Sequence, residues 1–155
     1  MKIAVTSSHR PSPLVRRFIN RLASVLGGER INRGKSSIDE LAAELHARGF
    51  THLIIVDRKH GNPSRLRFYK IPGGYIGYIT IHGVRRLKPR FGRVDHIKVI
   101  DSSEATRFLK EFLSEFPSSG RIGTVIEDNS GRITFRIRGK PYGVQFSWLK
   151  VVREG

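Results

Sequence analysis

Apolar residues near the start of the chain recur at helical spacing, with Leu14, Phe18, Leu22, Val25 and Leu26 forming one stripe that stops at Gly27-Gly28. Ser12 supplies an N-cap and Pro13 suits the first helical position, while Arg16, Arg17, Asn20, Arg21 and Ser24 fall on the opposite side. This predicts an amphipathic helix with a basic outer face. The capping box Ser37-Ile38-Asp39-Glu40 opens a second helix that runs through Leu41, Ala42 and Leu45 to Gly49. A third begins around Asp101-Ser102-Ser103-Glu104, buries Phe108, Leu109, Phe112 and Phe116, and is stopped by Pro117.

Between these helices lie runs rich in Ile, Val, Phe and Tyr at 2–6, 51–57, 65–71, 75–83, 96–101, 122–127, 132–138 and 143–152, which read as strands. Gly61-Asn62-Pro63-Ser64 and Asp128-Asn129-Ser130-Gly131 read as turns between paired strands. The pattern predicts an α/β fold with mixed sheets in one compact domain spanning 1–155. An internal echo divides it: Ile3-Ala4-Val5-Thr6-Ser7-Ser8 and Ile97-Lys98-Val99-Ile100-Asp101-Ser102-Ser103 each precede a helix. Two related halves, about 1–93 and 94–155, are one reading; chance recurrence of a serine cap is the other.

Charge changes the picture most. The chain of 155 residues carries 29 Lys and Arg against 13 Asp and Glu, a net +16 that favours a polyanionic partner. The excess sits in the first half, where 19 basic residues meet 5 acidic ones; the second has 10 and 8. Arg outnumbers Lys by 20 to 9, which suits either phosphate recognition or a warm source. The longest plainly apolar run, Leu53-Ile54-Ile55-Val56, is far shorter than the ~20 residues a membrane helix needs. With no apolar signal region after Met1, the expectation is a cytoplasmic protein with no membrane partner.

Motifs for catalysis are weak, and no catalytic residue, metal ligand or cofactor is expected. The chain has no Cys, which excludes disulfides and cysteine zinc ligands. Residues 28–36 resemble a phosphate loop, but five residues separate Gly28 and Gly34 where four are needed, and a helix precedes them. Gly73, Gly74 and Gly77 lack dinucleotide-loop spacing and read as a hairpin turn. The six His are scattered without helical pairing, and Ser7 and Ser8 have no partner for nucleophilic chemistry. Asp57, Asp95 and Asp101 at strand ends are the positions a metal-dependent nuclease would use, though strand-end Asp is also ordinary turn chemistry.

Basic and aromatic clusters remain as the candidate chemistry. Arg58 and Lys59 precede the turn at His60, and Arg65, Arg67 and Tyr69 follow on one strand face, where they could track phosphates and stack a base. Arg85, Arg86, Lys88, Arg90 and Arg93 crowd a loop too densely for an ordinary solvated surface, the alternative being a solubilising linker between halves. With Arg10, Arg16, Arg17, Arg21, Arg33 and Lys35, all of these but Arg93 form the expected RNA-binding set.

Four strings in order resemble the Brix family: Thr6-Ser7-Ser8-His9-Arg10-Pro11-Ser12 before an arginine-studded helix, Ile31-Asn32-Arg33-Gly34, His60-Gly61-Asn62-Pro63 after an apolar strand, and Ile133-Thr134-Phe135-Arg136. The first departs from the family pattern by one additional residue between Thr6 and Pro11. The resemblance implies two pseudo-symmetric α/β halves in one domain, like the anticodon-binding domain of class II aminoacyl-tRNA synthetases. It also implies a non-catalytic protein of short archaeal type that binds ribosomal RNA or its precursor during rRNA processing and subunit assembly, and a monomer is expected. Ribosomal proteins or other assembly factors would dock through the nearly neutral second half. A metal-dependent RNA-processing enzyme, a protein-interaction platform and a ribosomal protein are the alternatives.

Overall fold

A computed structural model describes residues 1–88, 94–113 and 120–154. The element order is β1 (Ile3–Ser7), α1 (Pro13–Val25), β2 (Glu29–Arg30), α2 (Ile38–Ala47), β3 (His52–Lys59), β4 (Asn62–Lys70), β5 (Gly74–Arg86), β6 (His96–Val99), α3 (Glu104–Leu113), β7 (Ile122–Glu127), β8 (Arg132–Ile137) and β9 (Lys140–Arg153). Among the described residues, all nine strands join one mixed sheet in the order β2-β1-β3-β4-β5-β9-β8-β7-β6.

The pairing repeats. In the first half β1 runs parallel to β3, which pairs antiparallel with β4, and β4 pairs antiparallel with β5; in the second β6 runs parallel to β7, followed by antiparallel β8 and β9. The two echoing sequence segments fall on β1 and β6, each paired in parallel with a neighbouring strand. Antiparallel pairing of β5 with β9, from Gly77↔Arg153 to Arg86↔Val144, closes the two into a continuous sheet.

Alternation along β3 separates two cores. Ile54 and Val56 join Phe18 and Leu22 of α1, Phe108 and Phe112 of α3, and Phe135 and Phe146 in one apolar cluster. Leu53 and Ile55 point to the opposite face, where Leu41 and Leu45 of α2 meet Phe50, Tyr69 and Ile71. Burial on both faces accounts for the unbroken apolar run at 53–56. The halves also interlock: the Tyr142 hydroxyl donates to the Val25 carbonyl at 3.2 Å, and Lys70 Nζ donates to the Phe112 carbonyl at 3.0 Å. Gly143, at φ +74°, lies where α1 presses on β9, and a Cβ there would sit 2.2 Å from Val25 Cγ1.

Several expectations shift. The buried stripe of α1 is Val15, Phe18, Ile19, Leu22, Ala23 and Val25, with Leu26 just beyond, and Leu14 is 47% exposed, because the core-facing arc is turned toward Val15 and Ile19. The turn after β3 is centred on His60-Gly61, both at positive φ, and Asn62, Pro63 and Ser64 belong to β4. Pro63 is tolerated at a bulge beyond the stretch that pairs with β5, which begins at Arg65. Arg85 and Arg86 are strand residues rather than loop cations. The two-residue strand β2 has no apolar pattern to announce it. The expected end of the third helix at Phe116 and Pro117 lies outside the described residues, as does Arg90.

Candidate nucleic-acid interface

Helix α1 forms a basic ridge between two clefts. Ser12 fixes its start, accepting a hydrogen bond from the Val15 amide and donating to the Gly61 carbonyl, so the β3–β4 turn is held against the helix N-terminus. On one side, Arg10, Arg16, Arg30, Asn32 and Arg33 surround a cleft of about 240 Å³. On the other, Arg17 faces Lys59, His60, His82 and Arg86 across about 660 Å³. No acidic side chain is among the residues lining either cleft. Consecutive arginines thus serve different clefts because neighbours on a helix point about 100° apart.

Arg33 is the most conspicuous of these cations. Its Nη2 lies 3.3 Å from His9 Nε2, and His9 Nδ1 reaches the Gly34 carbonyl at 3.2 Å, so the ring is held as a donor at Nδ1 and an acceptor at Nε2. Arg33 Nε and Nη1 are buried without a hydrogen-bond partner. Burial and then the charge of Arg67 lower its pKa against a smaller opposing effect of Tyr69. With Arg10, Arg16 and Arg30 also lining the cleft and no acid among its residues, the site around Arg33 favours an anionic oxygen.

The β4 cations are differently placed. Arg67 grips Asp57 with two bonds, Nε to Oδ2 at 2.8 Å and Nη2 to Oδ1 at 2.9 Å, and Arg65 Nε shares Oδ2 at 2.8 Å. Burial opposes the Arg67 charge, but hydrogen bonding and attraction to Asp57 outweigh it, so the Arg67 pKa is raised. The Asp57 carboxylate is therefore committed to arginines. Tyr69 is 8% exposed with its ring 5.1 Å from Tyr75, and its hydroxyl accepts from Arg67 Nη1, so its face is not open to a base. Among the described residues, no group of three or more His, Asp or Glu side chains is arranged to hold a metal.

The remaining expected residues spread outward. Arg58 and Lys35 are exposed, Arg21 Nη1 donates to the Leu87 carbonyl at 2.9 Å, and Arg85 is exposed along β5 opposite Gln145. Lys88 belongs to a different hollow of about 440 Å³, with Arg121, Arg138 and Lys140 of the second half. Sequence reasoning missed Arg30 and these three. Arg30 lies inside the segment set aside as a failed phosphate loop, and the others are dispersed in a half whose charges nearly cancel.

No family model matches the chain. A probable Brix domain-containing ribosomal biogenesis protein of Aeropyrum pernix is 31% identical over 163 aligned residues, covering 90% of this chain and 90% of that protein. The chain belongs to the Brix domain-containing ribosomal biogenesis proteins. Other members of this family match over less: the Pyrococcus horikoshii protein is 38% identical across 52% of this chain and 38% of its own length. The Bos taurus U3 small nucleolar ribonucleoprotein protein IMP4 is 32% identical across 54% of this chain and 29% of its length. The crystal structure of a probable ribosomal biogenesis protein from Aeropyrum pernix superposes with a TM-score of 0.76 at 28% identity, covering 96% of both chains. An archaeal Imp4-like protein shares the fold, with a TM-score of 0.73 at 24% identity over 98% of this Brix chain and 99% of the other.

Proposed function

We propose that the protein binds ribosomal RNA or its precursor through the ridge of α1 and its two flanking clefts, acting in ribosome biogenesis as a non-catalytic factor in the cytoplasm. The observation that carries this reading is the convergence of Arg10, Arg16, Arg30 and Arg33 on one side and Arg17, Lys59 and Arg86 on the other, with no acid between them. Clefts spaced on either side of one helix suit successive phosphates of a folded RNA strand. Family membership supplies the context, and the IMP4 relative is named as a component of a small nucleolar ribonucleoprotein. Asp57, one of the strand-end carboxylates a metal-dependent nuclease would use, is held by Arg65 and Arg67, which favours binding over cleavage.

The repeated pairing pattern supports a finer reading, that the molecule is a single Brix domain of two pseudo-symmetric halves related to class II anticodon-binding domains. Crosslinking in cells should recover precursor or mature ribosomal RNA on the protein, with contacts to peptides from 10–17 and 30–35. Recovery of no ribosomal RNA would overturn the proposal, and divalent-metal-dependent cleavage by the purified protein would overturn its non-catalytic part.

A further inference from the structure

Backbone conformation points to a second binding place. Among the described residues, the non-glycine positions at positive φ are Arg10 (57°), His60 (52°) and Arg138 (52°). All three are basic side-chain types in a conformation that L-residues avoid and that Gly or Asn would occupy at lower cost. Arg10 lines the first cleft beside α1 and His60 the second. Arg138 lines neither; it lines the hollow of about 440 Å³ in the second half.

That hollow differs in kind from the α1 clefts. Lys88, Arg121, Arg138 and Lys140 ring it, and Ile137 and Pro141 contribute apolar surface beside them. Tyr142, 4% exposed and donating its hydroxyl to the Val25 carbonyl, belongs to the core behind the hollow and presents no open ring. No acid is among the lining residues. Arg138 and Gly139, at φ 52° and 78°, are the central pair of the β8–β9 hairpin, where Ile137 pairs with Lys140. This tight turn sets Arg138 and Lys140 on a rigid support. The volume falls within the range of small-ligand sites, and a cationic rim over an apolar floor matches a nucleotide: phosphates to the rim, base to the floor. Arg85 and Arg86 on β5, with Lys88 two residues further on, make a basic path from the second α1 cleft to this hollow.

We propose that the hollow receives one unpaired nucleotide of the RNA held by α1, with its base against Ile137 and Pro141 and its flanking phosphates on Lys88, Arg138 and Lys140. This rests on the RNA-binding reading above and adds a contact that reads the base face as well as charge. It also gives the nearly neutral second half a local basic site.

Methyl NMR of the full chain, following Ile137, tests it with a short single-stranded oligoribonucleotide, inorganic phosphate at matched ionic strength, and an acidic peptide. The expected result is a shift of the Ile137 methyl with the oligonucleotide alone. In the Arg138→Gly/Lys140→Ala variant, which keeps a residue suited to the turn, that shift should vanish and oligonucleotide affinity should fall roughly three- to tenfold. An equal shift with phosphate would reduce the hollow to an anion site, and a preference for the peptide would make it a protein-docking surface; either overturns the proposal. A silent Ile137 methyl in a chain that still binds RNA through α1 overturns it as well and leaves the function standing. Absence of all RNA binding would sink both.

Discussion

At the scale of single residues, the basic surface divides into cations already paired inside the protein and cations left for a ligand. Asp57, with its side chain 14% exposed, holds Arg67 and Arg65, so its replacement leaves a half-buried guanidinium without its counter-charge. Asp57→Asn should cost about 2–3 kcal/mol of stability, read as a lower urea midpoint with an unchanged m-value. A midpoint unchanged from wild type would show that the triad contributes nothing. Arg33 behaves in the opposite sense: Arg33→Met should leave stability within about 1 kcal/mol of wild type, or raise it, while weakening RNA binding. The strand alternation of Arg65, Arg67 and Tyr69 was legible from the sequence. The aspartate on the neighbouring strand and the Tyr75 ring that covers Tyr69 were not, because both depend on the register of strands, which no local pattern encodes.

Elements with local capping signals were the easiest to read. Helix α1 begins where Ser12 and Pro13 place it, and its basic outer face carries Arg16 and Arg17 as expected. Leu14 was misassigned because the helical period fits equally well one residue over, and only packing against β1 and β9 decides which arc is buried. The β7–β8 turn was also legible, from its Asp-Asn-Ser-Gly sequence. There the Asp128 carboxylate accepts bonds from the Ser130 amide and hydroxyl and the Arg132 amide at 2.7–3.0 Å. Burial alone would raise the Asp128 pKa, but the bonds from Ser130, Arg132 and Thr134 outweigh it and hold it below its ordinary value. A depressed folded-state pKa means stability that is present above the unfolded carboxylate value of about 3.9 and lost as pH falls through the folded value. Asp128→Asn should therefore cost about 1–2 kcal/mol at neutral pH and flatten the acid limb of the stability profile below about pH 4. An acid limb identical to wild type would contradict this origin.

Over the whole molecule, the continuous sheet and the crossing of α1 onto β9 make the halves one cooperative body despite their unequal charge. Gly143 sits at this junction at φ +74° and against Val25, so Gly143→Ala should lower stability by roughly 2–4 kcal/mol and unfold both halves in a single transition. Separate transitions for the two halves would contradict the interlock. The division of charge was legible from counting residues. Its focus on two clefts beside α1 was not, because it requires the turn at residue 60, the strand end at 86 and the segment 30–33 to meet around one helix.

The central claim is that this ridge holds the RNA, and the salt dependence of affinity tests it most directly. Each phosphate contact adds a slope of roughly −0.7 to −0.9 to log K against log salt. Arg16→Glu/Arg17→Glu, both exposed on α1, should weaken binding to ribosomal precursor RNA and flatten the slope by at least about 1.4, corresponding to two lost contacts. Lys98→Glu/Lys110→Glu, exposed on β6 and α3 and equal in charge change, should alter the slope much less. Equal losses in the two variants, or an unchanged slope in the first, would contradict the account.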